Sequence, residues 1–113
     1  MKYEFLATDD NKMQLYHLLL NAINFKENGH EVAVVLECAS PKLLIGIADE
    51  RIKLPIFGKA MELGIINHAC KACTAAFEAT KAAEKLGVVI KGELSGHSDM
   101  LKFLGNGYSL FTF

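Results

Sequence analysis

The sequence predicts a single three-layer α/β domain over 1–113, with a mainly parallel sheet of five strands and helices on both faces. Segments typical of strands and of helices alternate along the chain, and such alternation indicates right-handed crossovers between parallel strands. The run VAVVL at 32–36 is continuously apolar, as expected for a strand that is covered on both faces. A length of 113 residues suits one core and is too short for two.

The N-terminal part predicts two strands that are joined by a long helix. The segment YEFLAT (3–8) predicts the first strand. Asp9 and Asp10 then suit the N-cap of a helix. Apolar residues recur at helical spacing over 11–28, and residues 30–37 predict the second strand.

The middle of the chain predicts three helices and one strand. Ser40, followed by a proline, begins a short helix, and Pro55 begins a second one that runs to residue 63. The segment IINHA (65–69) predicts the third strand. Residues 71–86 form the clearest helix pattern of the chain, rich in alanine and followed by glycine.

The C-terminal part predicts two strands around one short helix. Residues 88–94 are typical of a strand, and the SGHS segment at 95–98 indicates a loop. Ser98 suits the N-cap of a short helix. The aromatic segment YSLFTF (108–113) predicts the last strand.

The predicted strands place many polar and sulfur-bearing residues at one edge of the sheet. In open parallel sheets, ligands bind outside the carboxyl ends of the strands. The residues that follow those ends are Thr8, Asp9, Asp10, Glu37, Cys38, His68, Cys70 and the loop from Gly92 to His97. Cys73 follows Cys70 by three residues, so all three cysteines of the chain fall on this edge, and we expect the functional site there.

The Cys-x-x-Cys of Cys70 and Cys73 is the strongest candidate for chemistry. Cys70 lies at the predicted start of helix 71–86, where the helix dipole favours a thiolate. Lys71 and His68 are close in sequence, and each could lower the thiol pKa further. Cys73 follows one helical turn later, as in motifs with an attacking and a resolving cysteine. His97, in a Gly-Ser loop at the same edge, is a further supporting residue.

Other interpretations of these residues remain open. Free cysteines are often small buried hydrophobes, and Cys73 lies among alanines. We expect Cys38 to be structural or peripheral. A structural zinc site needs four ligands, so His68, His97 or Cys38 would have to complete the single pair from separate segments, and we expect no metal. No sequence motif for a phosphate or dinucleotide is present, so no cofactor is expected.

Composition limits the partners. Twelve basic and 13 acidic residues give a net charge of −1, which does not favour nucleic acid or an anionic membrane as partner. The sequence shows no apolar stretch long enough to span a membrane and no signal peptide. An odd number of cysteines, three, does not favour a framework of disulfides, so we expect reduced thiols in the cytoplasm. The 51% hydrophobic content and a mean hydropathy of +0.22 predict a homo-oligomer.

The chain resembles the DsrE/DsrF-like family of small sulfur-relay proteins over nearly its whole length. The segments that carry the resemblance are, in order, YEFLATDD, KENGHEVAVVLE, SPKLL, INHACKAC and HSDMLKFLGNGYSLFTF. The resemblance implies a flavodoxin-like sheet and a homo-oligomer, often a trimer or hexamer. It also implies, as in some members, a persulfide on the cysteine after the third strand, which is Cys70. For such a sheet we expect the third strand beside the first, in the order 2-1-3.

Three functions follow from these observations. The first is a cytosolic sulfur carrier, or sulfurtransferase, that takes sulfane sulfur from a donor protein onto Cys70 and passes it to an acceptor protein. The second is a dithiol redox protein, in which Cys70 attacks and Cys73 resolves. The third is a non-catalytic oligomeric scaffold. With the order 2-1-3, Cys38 and Cys70 would lie roughly 10 Å apart, too far for a disulfide.

Overall fold

The computed structural model describes all 113 residues and confirms the predicted fold class. The strands are β1 (Lys2–Ala7), β2 (Glu31–Leu36), β3 (Ile66–Cys70), β4 (Ile90–Lys91) and β5 (Tyr108–Thr112). The helices are α1 (Lys12–Glu27), α2 (Leu43–Ala48, after a 3-10 turn at Ser40–Lys42), α3 (Pro55–Glu62), α4 (Lys71–Ala76), α5 (Thr80–Leu86) and α6 (Met100–Gly105). All strand pairs are parallel, and the arrangement fits a flavodoxin-like three-layer fold.

The expected strand order 2-1-3 is wrong. The sheet has the order β4-β3-β2-β1-β5, so β3 lies beside β2 and not beside β1. The second edge of β1 is taken by β5, whose Phe111 ring lies 5.7 Å from that of Tyr3 and 5.3 Å from that of Phe5. Phe25 of α1 packs edge-on against Phe5 at 5.3 Å. This aromatic cluster favours the pairing of β1 with β5 and leaves β2 as the neighbour of β3.

The main hydrophobic core lies on one face of the sheet. Leu18 of α1, Leu44 of α2, Phe57 of α3 and Ala83 of α5 all belong to it. Successive right-handed crossovers in one direction place their helices on the same face. The last connection returns across the sheet, and its helix α6 lies on the other face, where Phe103 stacks on His68 at 6.2 Å.

Alternation along the strands places a second set of buried side chains on the α6 face. These residues are Glu4 and Leu6 of β1, Ala33 and Val35 of β2, and His68 and Cys70 of β3. Successive residues of a strand point to opposite faces, and Phe5, Val34 and Ala69, which alternate with these residues, belong to the main core. The α6 face therefore carries the polar and sulfur-bearing side chains of the sheet.

The single helix predicted over 71–86 is wrong, because the chain turns between α4 and α5. Glu78 has a φ of 55°, in the left-handed region that interrupts a helix. The amide of Ala79 donates to the carbonyl oxygen of Thr74 at 2.9 Å, and Ala79 is fully buried. Packing of α5 against α2 thus overrides the helical propensity of the alanine-rich segment.

Other boundaries differ locally from the prediction. Asn11, and not Asp9 or Asp10, caps α1, because its side-chain oxygen accepts from the amide of Gln14 at 3.0 Å. Asp99, and not Ser98, caps α6. The strand predicted over 88–94 shortens to two residues. None of the helices combines the length and the apolar character that a membrane span requires.

Candidate functional site

Cys70, Cys73 and His97 form one cluster at the carboxyl edge of the sheet. The two sulfurs and a ring nitrogen of His97 all lie within 4.8 Å of one another. The Sγ atom of Cys70 lies 3.7 Å from Nδ1 of His97. Cys70 is only 1% exposed, Cys73 is half-buried and His97 is exposed. The structure thus brings together three of the predicted site residues, with His97 on the solvent side.

A tight turn between Leu94 and His97 brings the histidine to the sulfurs. The amide of each of these two residues donates to the carbonyl of the other, at 2.9 and 2.8 Å. The central residues Ser95 and Gly96 have φ values of 50° and 88°, as a type I′ turn requires. The carbonyl oxygen of Gly96 also accepts from the amide of Ala72 at 2.8 Å. The turn is therefore fixed to the first turn of α4.

The surroundings of Cys73 keep its own thiol protonated. Burial, and next a hydrogen bond with Cys70, raise the pKa of Cys73, whereas the backbone amide of Cys38 opposes them. A raised pKa makes the Cys73 thiol the proton donor in its contact with Cys70.

Cys38 contributes to the cluster through its main chain. Its φ of 55° is unusual for a residue other than glycine, and its backbone opposes the rise in the pKa of Cys73. The side chain is exposed, and its sulfur is not in the group within 4.8 Å. Because β2 and β3 are neighbours, about 4.8 Å apart, the expected two-strand separation of Cys38 from Cys70 is wrong. Strand spacing no longer excludes a disulfide between them.

Glu37 is a site residue for which the sequence analysis predicts no role. It follows β2 directly, and the register that pairs Val35 with His68 and Leu36 with Ala69 continues to Glu37 beside Cys70. Burial raises the pKa of Glu37, and the charge of His97 opposes this shift. A carboxylate thus lies close to the histidine that contacts Cys70. Its position at a strand end was the only signal in the sequence.

His68 is a buried and neutral residue, held by two side chains. Its Nδ1 lies 2.7 Å from Oδ1 of Asn67, and its Nε2 lies 2.7 Å from Oγ of Ser98. Because an amide oxygen only accepts, Nδ1 carries the proton and Ser98 donates to Nε2. Burial, followed by the charge of Lys91, lowers the pKa of His68 to about 4. His68 positions Ser98, the residue next to His97, and also lines a polar cavity of about 260 Å³.

Lys71 and the helix start give Cys70 less support than the sequence predicts. Lys71 is exposed and forms none of the ion pairs of the structure. Helix α4 has six residues, so its dipole is that of less than two turns. One of its free amides already donates to Gly96. The role of Lys71 stays a prediction.

Glu4 is a second buried residue that the sequence did not single out. Its side chain is fully buried, and neither carboxyl oxygen has a hydrogen-bond partner. Burial, followed by the charge of Glu37, raises the pKa of Glu4 to about 7. A signal was present, because Glu4 lies between Tyr3 and Phe5 inside the first predicted strand of a sheet with helices on both faces.

The fold and the site define a three-layer α/β protein with a Cys-Cys-His cluster at the carboxyl edge of its sheet. A scan against protein-family models found no match, and a search of curated proteins found none either. A solved structure of a conserved protein of unknown function from Bacteroides thetaiotaomicron is similar, with a TM-score of 0.77 and 23% identity over 99% of this chain and 94% of that chain. At this identity, the similarity shows the fold alone.

Proposed function

We propose that this protein is a thiol-based carrier of sulfane sulfur, with Cys70 as the residue that is loaded. The observation that carries the proposal is the contact of one buried sulfur, that of Cys70, with both the His97 ring and the Cys73 thiol. An imidazole beside a thiol can accept its proton before the sulfur attacks a donor. The resemblance to the DsrE/DsrF-like family supports the same residue, and the cytoplasm is the location that suits a reduced thiol.

Loading transfers one sulfur atom and is balanced by the release of a donor thiol. The Cys70 thiolate attacks the outer sulfur of a donor persulfide, R–S–SH. The S–S bond of the donor breaks, a new S–S bond forms on Cys70, and R–S⁻ leaves. His97 takes the proton of the Cys70 thiol before attack and returns a proton to the leaving thiolate. Because Cys70 is almost fully buried, a protein donor gains access when the 92–97 turn moves aside.

Unloading has two balanced routes. An acceptor thiolate can attack the outer sulfur of the Cys70 persulfide, which restores the Cys70 thiolate and places the persulfide on the acceptor protein. Alternatively, Cys73 attacks the inner sulfur, forms the Cys70–Cys73 disulfide and expels HS⁻. The second route needs a thiol reductant to restore the two cysteines.

A dithiol redox function is the second candidate. The sulfurs of Cys70 and Cys73 lie within 4.8 Å of each other, and this proximity favours a disulfide between them. In this function Cys70 attacks a substrate disulfide, Cys73 resolves the mixed disulfide, and two electrons pass to the substrate. The two candidates differ in whether a sulfur atom stays on the protein.

We expect Cys70→Ser to abolish loading. Reduced protein is incubated with a small persulfide donor, and intact mass shows whether one additional sulfur atom is bound. Wild type gains it, and Cys70→Ser does not, because the Cys70 sulfur is the one that lies 3.7 Å from Nδ1 of His97. Cys73→Ser loads but releases HS⁻ at least about tenfold more slowly, since its internal attack is lost.

Cys38→Ala is the matched control for these variants. It removes an exposed sulfur at the same edge and keeps the backbone amide that contacts Cys73, so loading is expected to equal that of wild type. Loading of Cys70→Ser to the wild-type level contradicts the proposal. If wild type reduces a disulfide substrate and never gains sulfur, the redox function replaces it. Failure of native Cys70 to react with a small alkylating reagent leaves only a scaffold.

The predicted homo-oligomer also remains a proposal, supported by apolar residues on one side of α1. Met13, Tyr16 and Leu20 follow helical spacing and are 69%, 41% and 49% exposed. We expect a stable oligomer of wild type at micromolar concentration and a smaller species for Leu20→Lys, because a buried lysine destabilises a contact between copies. Sedimentation measures this, with Glu62→Lys on α3 as the control. Monomeric wild type contradicts the proposal.

A further inference from the structure

We propose that Cys70, Cys73 and His97 form a three-ligand site for Zn²⁺, with the fourth position open to solvent. Two thiolates and one imidazole are ligands that Zn²⁺ accepts in proteins, and three protein ligands with one open position are typical of reactive zinc sites. The proposal does not rest on sulfur transfer, because coordination needs only the geometry and the deprotonation of the two thiols.

The distances between the donor atoms suit zinc. Tetrahedral coordination with Zn–S of about 2.3 Å and Zn–N of about 2.0 Å separates the ligand atoms by roughly 3.5–3.8 Å. The Cys70 sulfur and the His97 nitrogen are already 3.7 Å apart. No pair in the cluster exceeds 4.8 Å, so ligands need to approach by about 1 Å at most.

Two neighbouring groups support the ligands in the way that known metal sites require. Ligating histidines commonly donate their second ring N–H to a carboxylate, and hydrogen bonds to sulfur orient thiolates. Glu37 is close enough to His97 for their charges to interact, and the backbone of Cys38 acts on Cys73. Both groups come from the end of β2, so one short segment supports ligands from β3, α4 and the 94–97 turn.

The arrangement also provides an entry path and a balanced charge. His97 is exposed, whereas Cys70 is buried, so an ion arrives from the solvent side and displaces the thiol protons. Two Cys–SH groups and Zn²⁺ give two Cys–S–Zn bonds and release up to two protons, while neutral His97 binds through Nδ1. The bound ion neutralises the two thiolates, which reduces the cost of burying their charge.

The experiment uses Co²⁺ as a spectroscopic probe and Zn²⁺ as its competitor, on the full, reduced chain. We expect one equivalent of Co²⁺ to produce sulfur-to-metal charge-transfer bands and the strong visible bands of tetrahedral cobalt, and Zn²⁺ to remove them. Cys70→Ser, Cys73→Ser and His97→Ala should each weaken binding by at least about tenfold, in line with the loss of a ligand. His97→Cys should restore a tetrahedral spectrum, because a third thiolate replaces the imidazole.

Cys38→Ser is the control, because it leaves the cluster and the supporting amide intact and should bind as wild type does. Circular dichroism of each variant excludes unfolding as the cause of lost binding. Equal cobalt spectra for wild type and His97→Ala, or loss of binding in Cys38→Ser, overturn the assignment of ligands. Absence of any tetrahedral band in wild type overturns the site itself. These readouts do not depend on sulfur loading, so failure here leaves the sulfur-carrier proposal untouched, and the reverse also holds.

Discussion

Replacement of Gly92 by alanine should destabilise the protein and uncover Cys70. A Cβ atom at this position would lie 2.5 Å from the carbonyl oxygen of Gly96 and 2.8 Å from the Cβ of Lys71. Both neighbours lack flexible ends that could move aside, so the 92–97 turn would have to shift away from α4. We expect a loss of about 1–3 kcal/mol in the free energy of unfolding, measured by urea denaturation.

The same substitution tests whether the turn controls the cysteine cluster. Displacement of the turn breaks the bond from the Ala72 amide to Gly96 and moves His97 away from Cys70. We expect faster alkylation of Cys70 in folded Gly92→Ala than in wild type, measured by peptide mapping after a short reaction with a small reagent.

Gly58→Ala is the matched control for Gly92→Ala. Gly58 lies exposed within α3, and a Cβ atom there would meet nothing within 4 Å. An alanine in a helix interior is expected to stabilise by about 0.5–1 kcal/mol, with no change in the reactivity of Cys70. If Gly92→Ala is as stable as wild type and Cys70 reacts no faster, the turn does not hold the site.

Local sequence patterns were sufficient to predict the strands and the layered fold. The continuous apolar run of β2 and the helical spacing of α1 depend on residues close in sequence, and both segments formed as expected. The strand order was not predictable in this way. It depends on the contacts of Phe111 in β5 with Tyr3 and Phe5 in β1, which join the two ends of the chain. The break at Glu78 similarly depends on the packing of α5 and not on the propensity of its own segment.

The sequence was sufficient to predict which edge of the sheet carries the candidate site, but not how the side chains of that site contact one another. Cys70, Cys73 and His97 were expected at the carboxyl ends of the strands, since parallel strands share that edge. Their contact depends on the turn of Ser95 and Gly96, whose positive φ values a Gly-Ser segment permits but does not require. Because the predicted strand order was wrong, the residue beside Cys70 on the neighbouring strand was predicted wrongly too. Glu37 therefore received no role.

Two buried groups on the α6 face should give opposite pH dependences of stability. Burial raises the pKa of Glu4 from 4.5 to about 7, so the folded state binds the extra proton and its stability is lost as pH rises through that range. Burial lowers the pKa of His68 from 6.5 to about 4, so stability is lost as pH falls through that range. Each group changes the free energy of unfolding by about 3 kcal/mol, and the two pH ranges nearly coincide.

The charged and titratable groups near Glu4 do not remove this opposition. Glu37, which acts on Glu4 directly, has a raised pKa of its own and adds to the loss of stability with rising pH. The charge of Glu4 also contributes to the raised pKa of Tyr108, although burial is the larger cause. That pKa lies above the range from pH 4 to pH 7. Wild type should therefore show a shallow dependence between about pH 4 and pH 7, since the large contributions of Glu4 and His68 cancel.

Glu4→Gln should expose the contribution of His68. Without the carboxyl group, the free energy of unfolding should rise by about 2–3 kcal/mol from pH 4 to pH 6.5, measured by urea denaturation at intervals across this range. The amide of glutamine is itself buried without a partner, so Glu4→Met, which leaves no polar atom there, should show the same slope from a different baseline. Glu31→Gln, at the exposed start of β2, should keep the shallow wild-type curve. If Glu4→Gln and Glu4→Met both follow the wild-type curve, Glu4 is already ionised in the folded protein at pH 5, and the expected opposition between Glu4 and His68 is wrong.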